Sequence, residues 1–133
     1  NDKSLFSNSS CVGDLIDAGD VHHIFPKQYL KDSGITDRSV YNQVANYTYL
    51  DTSVNIAVGK LAPNEYFNIA KNQCKTGDIT IGLITSEDQL KTNLETNCIP
   101  QTVFNMSADN YQEFLESRRK MMALKIHHYY DQL

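Results

Sequence analysis

No apolar run in the 133-residue sequence approaches the roughly 18 residues that would read as a membrane span. No secretory leader is visible either. A basic surplus is also missing: 12 Lys and Arg stand against 16 Asp and Glu, for a formal net charge of −4. Phosphate affinity comes mostly from Lys and Arg, so this balance counts against a stand-alone nucleic-acid binder. It leaves room for a catalytic domain that takes its affinity from a neighbour, because a bound metal adds local positive charge. Cysteine is scarce. Cys11, Cys74 and Cys98 form no CxxC pair, which leaves a zinc ribbon little support, and an odd count gives no complete disulfide framework. Reduced, partly buried thiols of a cytosolic protein are expected. What is present is ordinary: 41% hydrophobic and 21% charged residues exclude a mostly disordered chain. The length suits one domain with one modest core. The chain opens on Asn1, not Met, and is expected to be a piece of a longer protein.

Along the chain, residues 1–15 read as a linker, with Leu5 and Phe6 as candidate anchors in a Ser/Asn-rich stretch. Residues 21–25 (VHHIF), stopped by Pro26, predict a short strand. KQYLKDS before Gly34 predicts a helical turn, and NYTYL (46–50) a second strand able to pair with the first. Asp51, Thr52 or Ser53 can cap a helix that stops near Gly59, and Pro63 opens another through about residue 73. ITIGLI (79–84) reads as a strand or an extended arm. Ser86 with Gln89 fits a capping box, and Ser107 caps a long helix over roughly 108–131. On that helix Tyr111, Leu115, Met122, Ile126 and Tyr129 recur as one apolar stripe. Two strands alone are marginal and need helices to cover them, so the expected class is α+β with helix in excess.

Chemistry concentrates in Asp20-Val21-His22-His23-Ile24-Phe25-Pro26. Neighbouring side chains on a strand point to opposite faces, so two consecutive histidines cannot easily share one job. At a bent strand rim, one could turn to a metal while the other faces substrate. Asp20 lies two residues before His22, on the same face, and could accept a hydrogen bond from one ring nitrogen while the other binds metal. An HH pair alone more often marks a partly exposed strand end. The downstream pattern changes the odds: Asn46 lies 23 residues after His23 and Asn55 nine further on, inside the otherwise apolar VNIAVG. Asparagine is a poor helix-interior residue, which invites a role for its carbonyl oxygen.

HHIFP, an Asn before a hydrophobic strand and a second Asn nine residues later on a helix resemble the motif of HNH, or ββα-metal, nucleases. The fuller string HHIFPKQYL…NYTYLD…N…P…Y and the tail YQEFLESRRKMMALKIHHYYDQL resemble one branch. That branch is the C-terminal HNH domain of large bacterial proteins with an N-terminal ParB-like NTPase or nickase domain, such as the modification-dependent, GmrSD-type restriction enzymes. The motif covers residues 20–66; residues 1–15 carry no resemblance. The resemblance implies a ββα-metal core over 16–62, packed with a helical extension over 63–133. It places His22 and Asn55 on the metal-ligand positions. His23 falls on the general base, and Asn46, the other member of the catalytic pair, on the middle Asn that ties the hairpin together. Many HNH domains carry CxxC zinc pairs that brace the site, and here the helical remainder would have to do so.

The implied activity is DNA phosphodiester hydrolysis with one divalent metal, as the nuclease part of a larger restriction or defence protein. Resemblance favours Mg²⁺, with Mn²⁺ as substitute, whereas an imidazole ligand by softness alone fits Mn²⁺, Zn²⁺ or Ni²⁺ better. The implied partners are DNA and the other domains of the longer protein, with no membrane and a cytoplasmic location. Asn42 and Asp51 are rival ligands. Lys27 and Lys60 are candidate phosphate contacts, although single lysines more often lie on a solvated surface. Arg118, Arg119 and Lys120 read as a solvated face of the last helix. His127 and His128 repeat the pair with no Asn downstream and suit the helix C-terminus. Two other readings compete: an HNH-fold module that binds DNA or protein without cutting, and a helical assembly domain that binds no metal.

Overall fold

Two four-residue strands and six helices make up the described residues, 2–7 and 20–133 of a computed structural model. Strand β1 (Asp20–His23) is followed by helix α1 (Lys27–Asp32) and a short helix α2 (Arg38–Tyr41). A 3-10 turn (Val44–Asn46) leads into β2 (Tyr47–Leu50). Helices α3 (Thr52–Val58), α4 (Pro63–Thr76) and α5 (Glu87–Thr96) follow. Two 3-10 turns (Gln101–Asn105 and Ala108–Asn110) then lead into α6 (Tyr111–Asp131). The class is α+β with helix in excess. The strands pair antiparallel, with His22 opposite Thr48 and His23 opposite Tyr47. They form a hairpin only in the loose sense, because α1 and α2 are inserted between them.

Local chemistry sets the helix ends. Pro63 occupies the first turn of α4, where its missing N–H leaves no intrahelical bond unmade, and Gly77 ends the helix in the left-handed region at φ 78°. This helix runs past the expected residue 73 to Thr76. The side-chain oxygen of Ser86 accepts from the Gln89 amide at the start of α5. Ser107 and Asn110 form a reciprocal box before α6.

Both halves of the chain share one core: Phe25, Leu30 and Leu50 from the hairpin region meet Tyr66, Phe67, Leu94, Ile99 and Phe114 from the helices. Leu5 and Phe6 are fully buried in it, so the N-terminal stretch is anchored there as expected. Residues 8–19 lie outside the described residues, and Cys11 with them. Cys74 and Cys98 are free thiols.

Residues 79–84 form no strand but a series of bends. A side chain replaces the missing ladder. The oxygen of the buried Gln73 amide accepts from the backbone N–H of Thr80 and Ile81, and its nitrogen donates to the carbonyls of Ile81 and Ile84. One carboxamide thus satisfies both kinds of backbone group, as a partner strand would. Gly82 is obligatory here: at φ 67°, a Cβ would lie 2.2 Å from the Phe6 carbonyl oxygen.

The stripe on α6 holds only for its first half. Tyr111, Phe114 and Leu115 are buried and Met122 is partly so, whereas Ile126 and Tyr129 are 57% and 62% exposed, because the core does not extend along the last turns. The expected basic face needs correction at Arg118, which is buried. Its guanidinium donates to the carbonyls of Ala45, Tyr47 and Asn97, pinning α6 to the start of β2 and the end of α5. Arg119 and Lys120 are exposed as expected. Among the described residues no helix is long and apolar enough to cross a membrane.

Candidate metal centre

The site begins with the alternation of β1. Val21 is exposed, His22 is 3% exposed, and His23 at the strand end is half-buried on the opposite side. Helix α3 packs against β1 and brings Asn55 to the inward face. The His22 Nδ1 and Asn55 Oδ1 atoms lie 2.9 Å apart, although the residues are 33 positions distant in sequence. Tyr66 of α4 closes the far side. Its hydroxyl donates to the Ile24 carbonyl and its oxygen stands 3.5 Å from His22 Nε2.

This pair suits a small divalent cation. An amide oxygen only accepts, so in the metal-free form the His22 Nδ1–H donates to Asn55. With the ring proton on Nε2 instead, the Tyr66 oxygen still has lone pairs to receive it, and Nδ1 and Oδ1 would be two neighbouring electron-pair donors. Their 2.9 Å separation is that of an ordinary hydrogen bond, and it also equals the spacing of two adjacent ligands of an octahedron with bonds of about 2.1 Å. Among the described residues no group of three or more His, Cys, Asp and Glu converges, so such an ion would fill its other positions with water and phosphate oxygens. The side chain of Asp20, expected beside His22, lies outside the described residues.

Burial pushes the His22 pKa down from 6.5 to about 4, opposed by the Asn55 hydrogen bond and aided by the nearby charge of His23. The folded state therefore holds His22 neutral, as a metal ligand must be. Because the folded pKa lies below the unfolded one, its contribution to stability is complete above about pH 6.5. It is lost as pH falls towards about 4, the unfolded chain taking up the proton first. Urea unfolding is expected to show a loss on the order of 3 kcal/mol across that window. A His22→Gln variant should lose most of this dependence.

His23 leaves the strand end against different partners. Its Nε2 stands 2.9 Å from Asn42 Oδ1, and its ring packs edge-on against Tyr47 with centroids 4.9 Å apart. Asn42 therefore serves His23; it does not join His22 as a rival ligand. Asp51, the other rival, caps α3 through its backbone carbonyl, which accepts from Val54 and Asn55, and its side chain makes no capping bond.

Asn46, placed by the motif as the residue that ties the hairpin together, is fully buried. Its Oδ1 accepts from the Phe25 N–H at 2.8 Å, its Nδ2 donates to the Phe25 carbonyl at 3.1 Å, and its own carbonyl accepts from Ile24 at 2.7 Å. It braces the chain just past His23 and has no open face for substrate. Lys27 and Lys60 are exposed, at the start of α1 and just past α3. His127 and His128 lie exposed near the end of α6, where His127 faces Asp131 at 3.2 Å. Tyr66 and Asn42 are contributors that sequence reasoning left without these roles. Tyr66 had a signal in the spacing of the long motif string, whereas nothing in the sequence ties Asn42 to His23. Comparison with protein-family models, curated proteins and solved structures returns no match.

Proposed function

We propose that this chain is a divalent-metal-dependent endonuclease of HNH type that hydrolyses DNA phosphodiester bonds, serving as the nuclease part of a larger restriction or defence protein in the cytoplasm. The observation that carries the reading is the 2.9 Å approach of His22 Nδ1 and Asn55 Oδ1 on a strand and the helix packed against it. A second histidine stands next in sequence, close enough for its charge to be felt at His22. The two side chains meet although 33 residues separate them in sequence, and their order along the chain is the one the motif resemblance implies.

In this reading His22 and Asn55 hold Mg²⁺, or Mn²⁺ in its place. When bound, the ion supplies positive charge beside the scissile phosphate, where negative charge grows in the transition state. His23 accepts a proton from the attacking water. The water oxygen forms a bond to phosphorus, the bond to the 3′ oxygen breaks, and that oxygen leaves with the electron pair and takes a proton from solvent. Tyr66 keeps His22 oriented, and its burial pushes the phenol well above its usual pKa, so it stays a neutral hydrogen-bonding group. Lys27 and Lys60 are exposed candidates for phosphate contact, and DNA affinity beyond them would come from other domains, in keeping with the net charge of −4.

Plasmid nicking with Mg²⁺ or Mn²⁺, abolished by chelator, is the expected result. Asn55→Ala should weaken Mn²⁺ binding by at least about tenfold in isothermal titration, because one of two protein ligands is gone. Unchanged affinity would remove Asn55 from the site. The acidic balance favours a second reading, an HNH-fold module that binds DNA or protein without cutting, which predicts metal binding without nicking.

A further inference from the structure

The short helix α2 gives the core Tyr41 and the partly buried Val40, and its end is held by several hydrogen bonds. Asp37 caps it by accepting from the Ser39 amide. At its other end the buried Tyr111 hydroxyl donates to the Val40 carbonyl at 2.7 Å and approaches that of Tyr41 at 3.3 Å. The Asn46 amide reaches the Tyr41 carbonyl as well, at 3.4 Å. The next residue is Asn42, whose own N–H donates to Arg38 at 2.9 Å. An exposed asparagine thus stands on backbone that the core holds from both sides, with its carboxamide oxygen 2.9 Å from His23 Nε2.

We infer that Asn42 is the positioning residue of His23: it keeps the ring proton on Nε2 and thereby makes Nδ1 the atom that accepts the proton from water. This rests on the proposed role of His23 as general base. A neutral imidazole carries one N–H and one lone pair, and a carboxamide oxygen can only accept, so a 2.9 Å contact to Nε2 selects the Nε2–H tautomer. The Tyr47 ring, at 76° to the imidazole, limits rotation from the other side. Two fixed points on one ring leave a single direction for the Nδ1 lone pair. After the proton moves from water to Nδ1, the cationic ring still donates from Nε2 to the Asn42 oxygen, and a charged donor strengthens that bond. Asn42 therefore supports the base before and after the transfer without touching substrate, as the orienting group does in other base-assisted sites.

The orientation can be read without any cleavage. In a ¹⁵N-labelled sample of the full chain, long-range ¹H–¹⁵N spectra at a pH where the ring is neutral should show His23 as the Nε2–H tautomer. Asn42→Ala should mix the two tautomers. Its turnover should fall about ten- to a hundredfold with KM and Mn²⁺ affinity unchanged, and its thermal melting should stay that of the wild type, since Asn42 is exposed. Asn42→Asp retains an acceptor and should restore both the tautomer and most of the rate. A wild-type His23 with its proton on Nδ1, or a tautomer indifferent to Asn42→Ala, overturns the assignment whatever the nicking assay shows. A tautomer that follows Asn42 in a protein that binds Mn²⁺ but never nicks DNA upholds the orientation and sinks the nuclease reading alone.

Discussion

His23→Ala is expected to lower the nicking rate by about 10²–10⁴-fold, the usual worth of a positioned general base. The fold and the metal pair should survive. His23 is the last residue of β1, half-buried, and its contacts are the Asn42 amide and the edge of Tyr47, so removing the ring opens no hole in the core. His22 and Asn55 meet on the other side of the strand and depend on α3 and Tyr66 instead. The measurement pairs initial nicking rates at saturating Mg²⁺ with isothermal titration of Mn²⁺: the first should collapse and the second should barely move. Near-wild-type cleavage would remove His23 from the chemistry.

Asn46→Ala should act the other way, on stability first. The substitution strips partners from both the N–H and the carbonyl of Phe25, at a residue with no solvent exposure to replace them. Each buried group left unsatisfied costs about 1–3 kcal/mol. A total of about 3–5 kcal/mol is expected, a large fraction of the 5–15 kcal/mol typical of a whole domain. Asn46→Asp keeps the acceptor for Phe25 N–H but cannot donate to the Phe25 carbonyl, so it should remain destabilised. Urea unfolding near neutral pH distinguishes these outcomes, and a loss under about 1 kcal/mol would refute the bracing role. Phe25 packs against Tyr111 and Phe114 with ring centroids 5.2 and 4.9 Å apart, so a loosened Phe25 backbone should disturb the β1 end that carries His23. Any activity lost in Asn46→Ala should therefore accompany lost structure, whereas in His23→Ala it should not.

The motif marked Asn46 as the residue that ties the hairpin together, but spacing carries no information about burial, and only the fold shows it fully enclosed. Arg118 makes the same point. Within Arg118-Arg119-Lys120 the sequence offers three similar cations, and only the packing of α6 decides that the first turns inward to three backbone carbonyls. The run 79–84 has strand-like composition, yet among the described residues it pairs with no strand, and the Gln73 amide takes that part. The apolar stripe of α6 was legible as periodicity, but Ile126 and Tyr129 remain exposed because periodicity does not say where the rest of the molecule ends.

By itself the sequence determined most of the order of elements and the alternation that sends His22 and His23 to opposite sides, since these follow from local backbone geometry over a few residues, and its two strand-like runs made their pairing an expectation. It also singled out Asn46 and Asn55 as asparagines with something to do. Tertiary structure decided which groups they meet: Asn55 reaches His22 because α3 packs on β1, Asn46 is enclosed against the backbone of Phe25, and Asn42 arrives beside His23 just past a helix inserted between the strands. These are contacts between groups far apart along the chain. Their geometry is set by how the whole core closes, and local propensity holds no record of that.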